Sequence, residues 1–168
     1  MRRARAFTLV EILIVVVLLG VLAAIVIPAV ANSGTAARES ALAGNLNLLR
    51  RFVLIYTSQH QEVAPGYPDG NATATPTQAA FEAQATMAST PGGDTAARGT
   101  AGYDYGPYLS KLPTNPFSNL DTVQMLANGA PFPAEADGSH GWICKPQTGE
   151  IRPGNSGADD RGVRYYDY

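Results

Sequence analysis

The sequence has a single cysteine, Cys144, and only two histidines, His60 and His140. One thiol cannot form an internal disulfide, and two isolated histidines do not have the spacing of a zinc site. Neither histidine stands in a recognisable motif with a serine or cysteine nucleophile, and no glycine-rich phosphate loop follows a strand. The residues therefore give no support for catalysis, and we expect Cys144 to be a small buried side chain.

Basic side chains are also scarce beyond the first residues. Arg2, Arg3 and Arg5 are three of only 12 basic residues, against 14 acidic ones, so the rest of the protein is acidic. An acidic body is a poor partner for the phosphate backbone of nucleic acids, and we expect no nucleic-acid binding.

What the sequence does contain is a long apolar run near its start. Residues 12–31 carry no charge, and as a helix they would span about 30 Å, the thickness of a bilayer's hydrocarbon core. Arginines precede the run, and none follows it before Arg38. The positive-inside rule therefore places residues 1–6 in the cytoplasm and the rest of the chain across the membrane.

Three interpretations of residues 1–31 are open. A secretory signal would be cleaved after Ala31, at an A-x-A site, but its apolar region is normally only about 7–15 residues long. A plain membrane anchor explains the length and leaves Glu11 unexplained, because a carboxylate at the bilayer centre costs about 2.5–3.5 kcal/mol. The third interpretation gives Glu11 a partner.

Residues 6–11, Ala-Phe-Thr-Leu-Val-Glu, and the apolar run that follows resemble the processing signal of type IV prepilins and type II secretion pseudopilins. The resemblance implies that a membrane peptidase cleaves between Ala6 and Phe7 and methylates the new amino terminus at Phe7. Ala6 stands where the family most often has glycine. Pro28 matches a proline of the family, and we expect it to kink the helix because it removes a backbone hydrogen bond.

The same resemblance gives Glu11 a role in filament assembly. Cleavage creates an ammonium group at Phe7, which attracts a carboxylate far more strongly in lipid than in water. An arriving subunit can therefore pair its amino terminus with Glu11 of a neighbour, which sets the axial register. The alternative is that Glu11 only reaches the lipid headgroups from its place near the helix start.

Apolar residues recur at spacings of three and four within residues 32–60, which predicts an amphipathic helix with one buried face. The predicted stripe consists of Leu42, Leu46, Leu49, Val53 and Tyr56, widened by Leu48, Phe52 and Ile55. The Asn-Ser-Gly sequence at residues 32–34 is a point where the helix could loosen.

Beyond this helix, proline and glycine become frequent and the pattern predicts a small head. A short helix is expected within residues 75–89, with Thr75 as its cap and Pro76 in its first turn, and a loop over residues 90–102. GWICK and EIRPG flank a four-residue turn and predict a β-hairpin, which a strand at residues 122–126 could join.

The predicted fold class is α+β, with a long N-terminal helix, transmembrane in its first half and amphipathic in its second, packed on a small antiparallel sheet. The order of elements resembles the type IV pilin-like fold, in particular the heads of major pseudopilins. The predicted parts are a leader, a transmembrane helix, an amphipathic helix and a periplasmic head, at residues 1–6, 7–31, 32–60 and 61–168.

Resemblance to the major pseudopilins also implies calcium in a carboxy-terminal loop. Asp159 and Asp160 are the candidate ligands, because carboxylates are the hard oxygen donors that calcium prefers. The alternative is an acidic loop that Arg161 and Arg164 neutralise. Weaker candidates are Asp69 and Asp137.

The sequence thus predicts a structural subunit of a type II secretion pseudopilus or a type IV pilus-like filament. Its expected partners are other copies of the chain, the prepilin peptidase and methyltransferase, and an assembly platform in the bacterial inner membrane. The alternative is an exported or membrane-tethered binding domain that uses residues 1–31 as an ordinary signal or anchor.

Overall fold

A computed structural model describes residues 8–168, except for the side chains of residues 28–33. This part of the chain contains two α-helices, five short strands and two 3-10 turns. The helices are α1 (Leu9–Gln59) and α2 (Gln78–Thr86); the strands are β1 (Ala88–Ser89), β2 (Thr95–Ala96), β3 (Val123–Met125), β4 (Trp142–Lys145) and β5 (Glu150–Pro153); the 3-10 turns are Pro68–Gly70 and Tyr165–Asp167. The predicted α+β fold with a long N-terminal helix is confirmed.

Helix α1 belongs to two compact units. One unit ends at Arg38, and the other comprises Glu39–Tyr168. The backbone stays helical through residues 32–34, where the sequence suggested that the helix could loosen. Residues of α1 beyond Arg38 therefore fold with the strands, and they supply one wall of the head's core.

The buried face of α1 is the predicted stripe. Its five residues and Phe52 are all at most 4% exposed, in one cluster with residues from β3, β4 and β5. Leu48 and Ile55 do not widen it, because they are 44% and 46% exposed. At about 100° per residue, both lie more than about 100° around the helix from the centre of the stripe, beyond the reach of the strands.

Helix α2 begins two residues later than predicted. Thr77, not Thr75, is its N-cap, and the Thr77 Oγ1 accepts a hydrogen bond of 3.2 Å from the backbone nitrogen of Ala80. Pro76 accordingly precedes the cap instead of lying in the first turn. The loop predicted for residues 90–102 contains β2, which pairs with β1 in an antiparallel ladder.

The predicted hairpin is present as β4 and β5, paired antiparallel from Trp142–Pro153 to Lys145–Glu150. Strand β3 joins β4 in parallel, not antiparallel, so the sheet is mixed. The expectation of an antiparallel sheet was wrong on this point because a crossover of 16 residues, 126–141, carries the chain back to the starting end of the sheet.

Both faces of this sheet are covered. Trp142 and Cys144 of β4 point into the cluster shared with α1, whereas Ile143, between them, packs in a second cluster. The other buried members of that cluster are Leu126, Ala136 and Tyr166. Alternation along a strand explains why three successive residues of β4 are all buried.

Candidate functional site

The first turn of α1 is held by a reciprocal pair of side chains, Thr8 and Glu11. The Glu11 Oε2 accepts hydrogen bonds from the Thr8 backbone nitrogen, at 2.9 Å, and from the Thr8 Oγ1, at 3.0 Å. The Glu11 backbone nitrogen donates in turn to the Thr8 Oγ1 at 3.2 Å. This arrangement is a capping box, which satisfies donors that a helix start otherwise leaves unpaired.

The prepilin motif predicts a partner for Glu11 in another subunit, and Thr8 was not among the residues predicted from the sequence. The signal was present, because a threonine three residues before a glutamate, at the start of an apolar run, is the sequence pattern of a capping box. The structure therefore adds Thr8 to the candidate site as the residue that orients the Glu11 carboxylate within its own chain.

Glu11 is the one charged residue of an apolar and exposed span at the start of α1, Leu9–Ile27. Among the described residues, the Leu9–Ile27 span is long and apolar enough to cross a membrane, with a mean hydropathy of 3.2, and none of its side chains is buried. The large aliphatic side chains of this span are 49% to 84% exposed. Such a surface is stable only where lipid or other protein chains cover it.

Two predicted site residues, Ala6 and Phe7, lie outside the described part of the chain. Pro28 is part of the helical backbone of α1, and its side chain lies outside the described part. The cleavage site, the methylation of Phe7 and the kink at Pro28 therefore stay predictions.

The head contains one contact that resembles a catalytic pair, between His60 and Ser89. The His60 Nδ1 lies 2.8 Å from the carbonyl oxygen of Tyr56, so Nδ1 carries the hydrogen, and Nε2 accepts from the Ser89 Oγ at 2.9 Å. Both residues are at most 2% exposed, and burial lowers the pKa of His60. A pair enclosed in this way has no access to a substrate, and we interpret it as a structural contact.

Cys144 is buried, as expected, and burial raises the pKa of its thiol to about 12. A thiol in that state is neither a nucleophile nor a metal ligand at neutral pH, because both roles require the thiolate. Within residues 8–168, leaving out the side chains of residues 28–33, no three His, Cys, Asp or Glu side chains are grouped so that they could hold a metal ion.

The candidate calcium ligand Asp159 is already engaged by protein donors. Its carboxylate forms an ion pair with Arg161, with the Arg161 Nη2 2.7 Å from Oδ2. It also accepts hydrogen bonds from the Val163 backbone nitrogen and the Tyr168 hydroxyl. As arranged here, Asp159 does not fit a calcium site, and the geometry favours the alternative in which an arginine neutralises the loop.

The other acidic candidates are not brought together with Asp159. Asp160 and Asp69 are exposed at the surface. Asp137 binds Ser139, two residues further along the chain. Its Oδ1 accepts hydrogen bonds from the Ser139 backbone nitrogen, at 2.9 Å, and from the Ser139 hydroxyl, at 2.6 Å. Arg164 pairs with Asp167 and not with Asp159 or Asp160.

Comparisons with known proteins find similarity both at the start of the chain and over its head. Residues 1–27 match the family model of the prokaryotic N-terminal methylation motif. Over 145 residues the chain is 30% identical to the type II secretion system core protein G of Pseudomonas aeruginosa strain PAO1, and the match covers 83% of this chain and 89% of that protein. No solved structure matches the chain.

An N-terminal methylation motif, an exposed apolar span at the start of α1 and an α+β head together define a prepilin-type protein. The similarity extends over most of both chains, and the chain belongs to the family of the type II secretion system core protein G, the pseudopilins. Membership of this family points to a structural subunit. Together with the apolar span of α1, it fits a protein that is anchored in the inner membrane.

Proposed function

We propose that this protein is a structural subunit of a type II secretion pseudopilus, made as a precursor that is cleaved between Ala6 and Phe7 and methylated at Phe7. Residues 7–31 then hold it in the inner membrane, with the head in the periplasm, until an assembly platform draws it into a helical filament. In this role the protein is a substrate of the prepilin peptidase and methyltransferase, and it has no catalytic activity of its own.

The observation that carries the proposal is the single carboxylate in the apolar helix. Glu11 is the only charged residue of the Leu9–Ile27 span, and it lies inside the matched methylation motif. In lipid an unpaired carboxylate is costly, and its bonds to Thr8 leave its negative charge in place. A cation from another copy of the chain, the methylated ammonium group of Phe7, would neutralise it.

Glu11 therefore has two successive partners in this proposal. In the stored subunit Thr8 orients the carboxylate and caps the helix. In the filament the ammonium group of a neighbouring subunit adds its charge to the same carboxylate, which gains electrostatic energy in a low-dielectric medium and fixes the axial register. Pro28, with its missing backbone donor, would let the helix bend as subunits pack.

Mass spectrometry of the mature amino terminus tests the processing step. The proposal expects a chain that begins with N-methylated phenylalanine at position 7. A chain that begins at Asn32 would instead identify residues 1–31 as a conventional secretory signal, and it would exclude filament assembly through Glu11. A chain that retains its three arginines would also contradict the proposal.

The assembly step is tested by Glu11→Gln, which removes the charge and preserves the shape. Glu82→Gln is the matched control, because Glu82 is an exposed residue of α2 in the head. We expect both variants to be inserted and cleaved normally, and only Glu11→Gln to lose incorporation into sheared filaments. Filaments of normal yield from Glu11→Gln would refute the role of Glu11 in assembly, and a wild-type protein that forms no filaments would favour a monomeric, membrane-tethered protein.

A further inference from the structure

The C-terminal loop, residues 155–164, closes on one buried carboxylate. Ala158 and Arg164 form an antiparallel bridge, and the Asp159 backbone nitrogen donates to the Val163 carbonyl oxygen at 2.9 Å. Between these contacts the side chain of Asp159 is only 2% exposed. A buried anion is tolerated only where charge and hydrogen bonds compensate for its lost hydration.

The acceptor capacity of this carboxylate is fully used. Oδ1 accepts from the backbone nitrogens of Arg161 and Val163, at 3.0 Å and 2.9 Å. Oδ2 accepts from the Arg161 Nε and Nη2, at 3.0 Å and 2.7 Å, and from the Tyr168 hydroxyl at 3.1 Å. A carboxylate has only about four lone-pair positions, so these donors leave no position for a metal ion.

We infer that Arg161 supplies the positive charge that closes the C-terminal loop, and that the head of this protein folds without calcium. The resemblance to major pseudopilins implies a calcium ion in this loop, and the arrangement of Asp159 disagrees with it. The guanidinium suits the role because its forked donors match a carboxylate and its charge does not titrate near neutral pH. The Arg161 side chain remains 75% exposed, so its own charge stays hydrated.

The closed loop connects the last residues of the chain, through a series of contacts, to Glu39 of α1. Tyr168, which donates to Asp159, packs edge-on against the ring of Tyr165, with 5.6 Å between the ring centroids. The Tyr165 ring stacks on Phe117 at 4.4 Å, and its hydroxyl donates to the Glu39 Oε1 at 2.8 Å. Opening the Asp159–Arg161 pair would therefore loosen contacts that reach the beginning of the head's part of α1.

The pKa of Asp159 indicates that its carboxylate stays charged at physiological pH. Burial alone would raise this pKa, but the hydrogen bonds from Arg161, Val163 and Tyr168 outweigh burial and lower it to about 2. The loop should therefore stay closed across the physiological pH range.

The test uses the full chain purified in detergent, with Trp142 as an intrinsic probe of the head. Trp142 is the only tryptophan and is fully buried. We expect the same melting temperature in 1 mM calcium chloride and in excess EGTA. If calcium occupied a site at a hundred times its dissociation constant, the melting temperature would instead rise by roughly 10 °C.

Substitution of the arginine provides the second readout. Arg161→Gln leaves the buried carboxylate without its cation, and we expect its melting temperature in EGTA to fall by roughly 5–15 °C. Arg161→Lys should fall between this variant and the wild type, because lysine lacks the forked donors. Arg98→Gln, at an exposed residue of the head, is the control and should melt with the wild type.

Calcium binding is measured in parallel by equilibrium dialysis against radioactive calcium. One tightly bound ion per wild-type chain, together with a lower melting temperature in EGTA, would overturn the inference. An Arg161→Gln variant that melts with the wild type in EGTA would overturn it as well. If Arg161→Gln binds calcium that the wild type does not bind, the vacated carboxylate is the ligand and the inference is supported. The measurements concern the head alone and do not depend on filament assembly.

Discussion

Two leucines of α1 offer a direct test of which helix face is buried. Leu49 is completely buried in the core cluster, whereas Leu54, five residues later, is 71% exposed. Leu49→Ala and Leu54→Ala are the same chemical change in the same helix, so the difference in helix propensity between leucine and alanine is common to both. Any difference in stability between the two variants therefore reports burial.

The expected magnitudes are well separated. Removing a fully buried leucine side chain costs about 2–5 kcal/mol, through lost burial and the cavity left behind. A substitution at an exposed position away from special contacts changes stability by about 0.5 kcal/mol or less. For a head of this size, Leu49→Ala should lower the melting temperature by roughly 8–20 °C, and Leu54→Ala by at most a few degrees.

The assay is thermal or urea unfolding of the full chain in detergent, followed by Trp142 fluorescence. Trp142 shares a cluster with Leu49, so it senses unfolding of the relevant core directly. Equal losses for the two variants, or a larger loss for Leu54→Ala, would refute the assigned phase of α1.

Three further predictions concern the head. Thr77→Ala should cost about 1 kcal/mol of unfolding free energy, because the Ala80 backbone nitrogen loses its acceptor; Thr77→Ser should retain most of it, and equal losses from the two variants would contradict the cap. Alkylation of Cys144 should require global unfolding, because the thiol is buried and its pKa is raised to about 12; maleimide labelling of the native protein at the rate of a denatured control would contradict this. Stability should decrease as the pH falls below about 6.5, because burial lowers the pKa of His60 and the unfolded chain takes up a proton that the folded chain does not. Urea midpoints measured across this pH range give the slope of stability against pH. The slope should be smaller in His60→Gln, and an unchanged slope would show that another group causes it.

Periodicity was sufficient to predict the buried stripe of α1, because a helix exposes the same face every three or four residues. It failed at Leu48 and Ile55, since an apolar side chain on the flank is buried only if some other element extends that far. The hairpin was predictable because its turn and strand residues are adjacent in the sequence. The parallel pairing of β3 was not, because it depends on the path of the distant crossover 126–141.

At the candidate site, the prepilin motif identified Glu11 from the sequence. The hydrogen bonds that Thr8 donates to Glu11 are seen only in the structure, although the sequence already contains the pattern of a capping box. The pairing of Asp159 with Arg161 was one of two alternatives that the sequence left open. An acidic loop that can bind a cation and one whose carboxylate is already paired with Arg161, two residues away, differ only in the folded arrangement of their side chains.

The mixed sheet imposes an order of events on folding. Strands β4 and β5 are joined by a turn of four residues, 146–149, and hairpins of this kind form within about 1–10 μs. Strand β3 can add to them only after the crossover 126–141 has closed, which is entropically more costly. Because β4 and β5 follow the other strands in the chain, the part of the α1 stripe that they cover stays exposed during synthesis or export until residues 142–153 have been delivered. The newly made protein therefore passes through an interval in which its core is incomplete and it needs protection from aggregation.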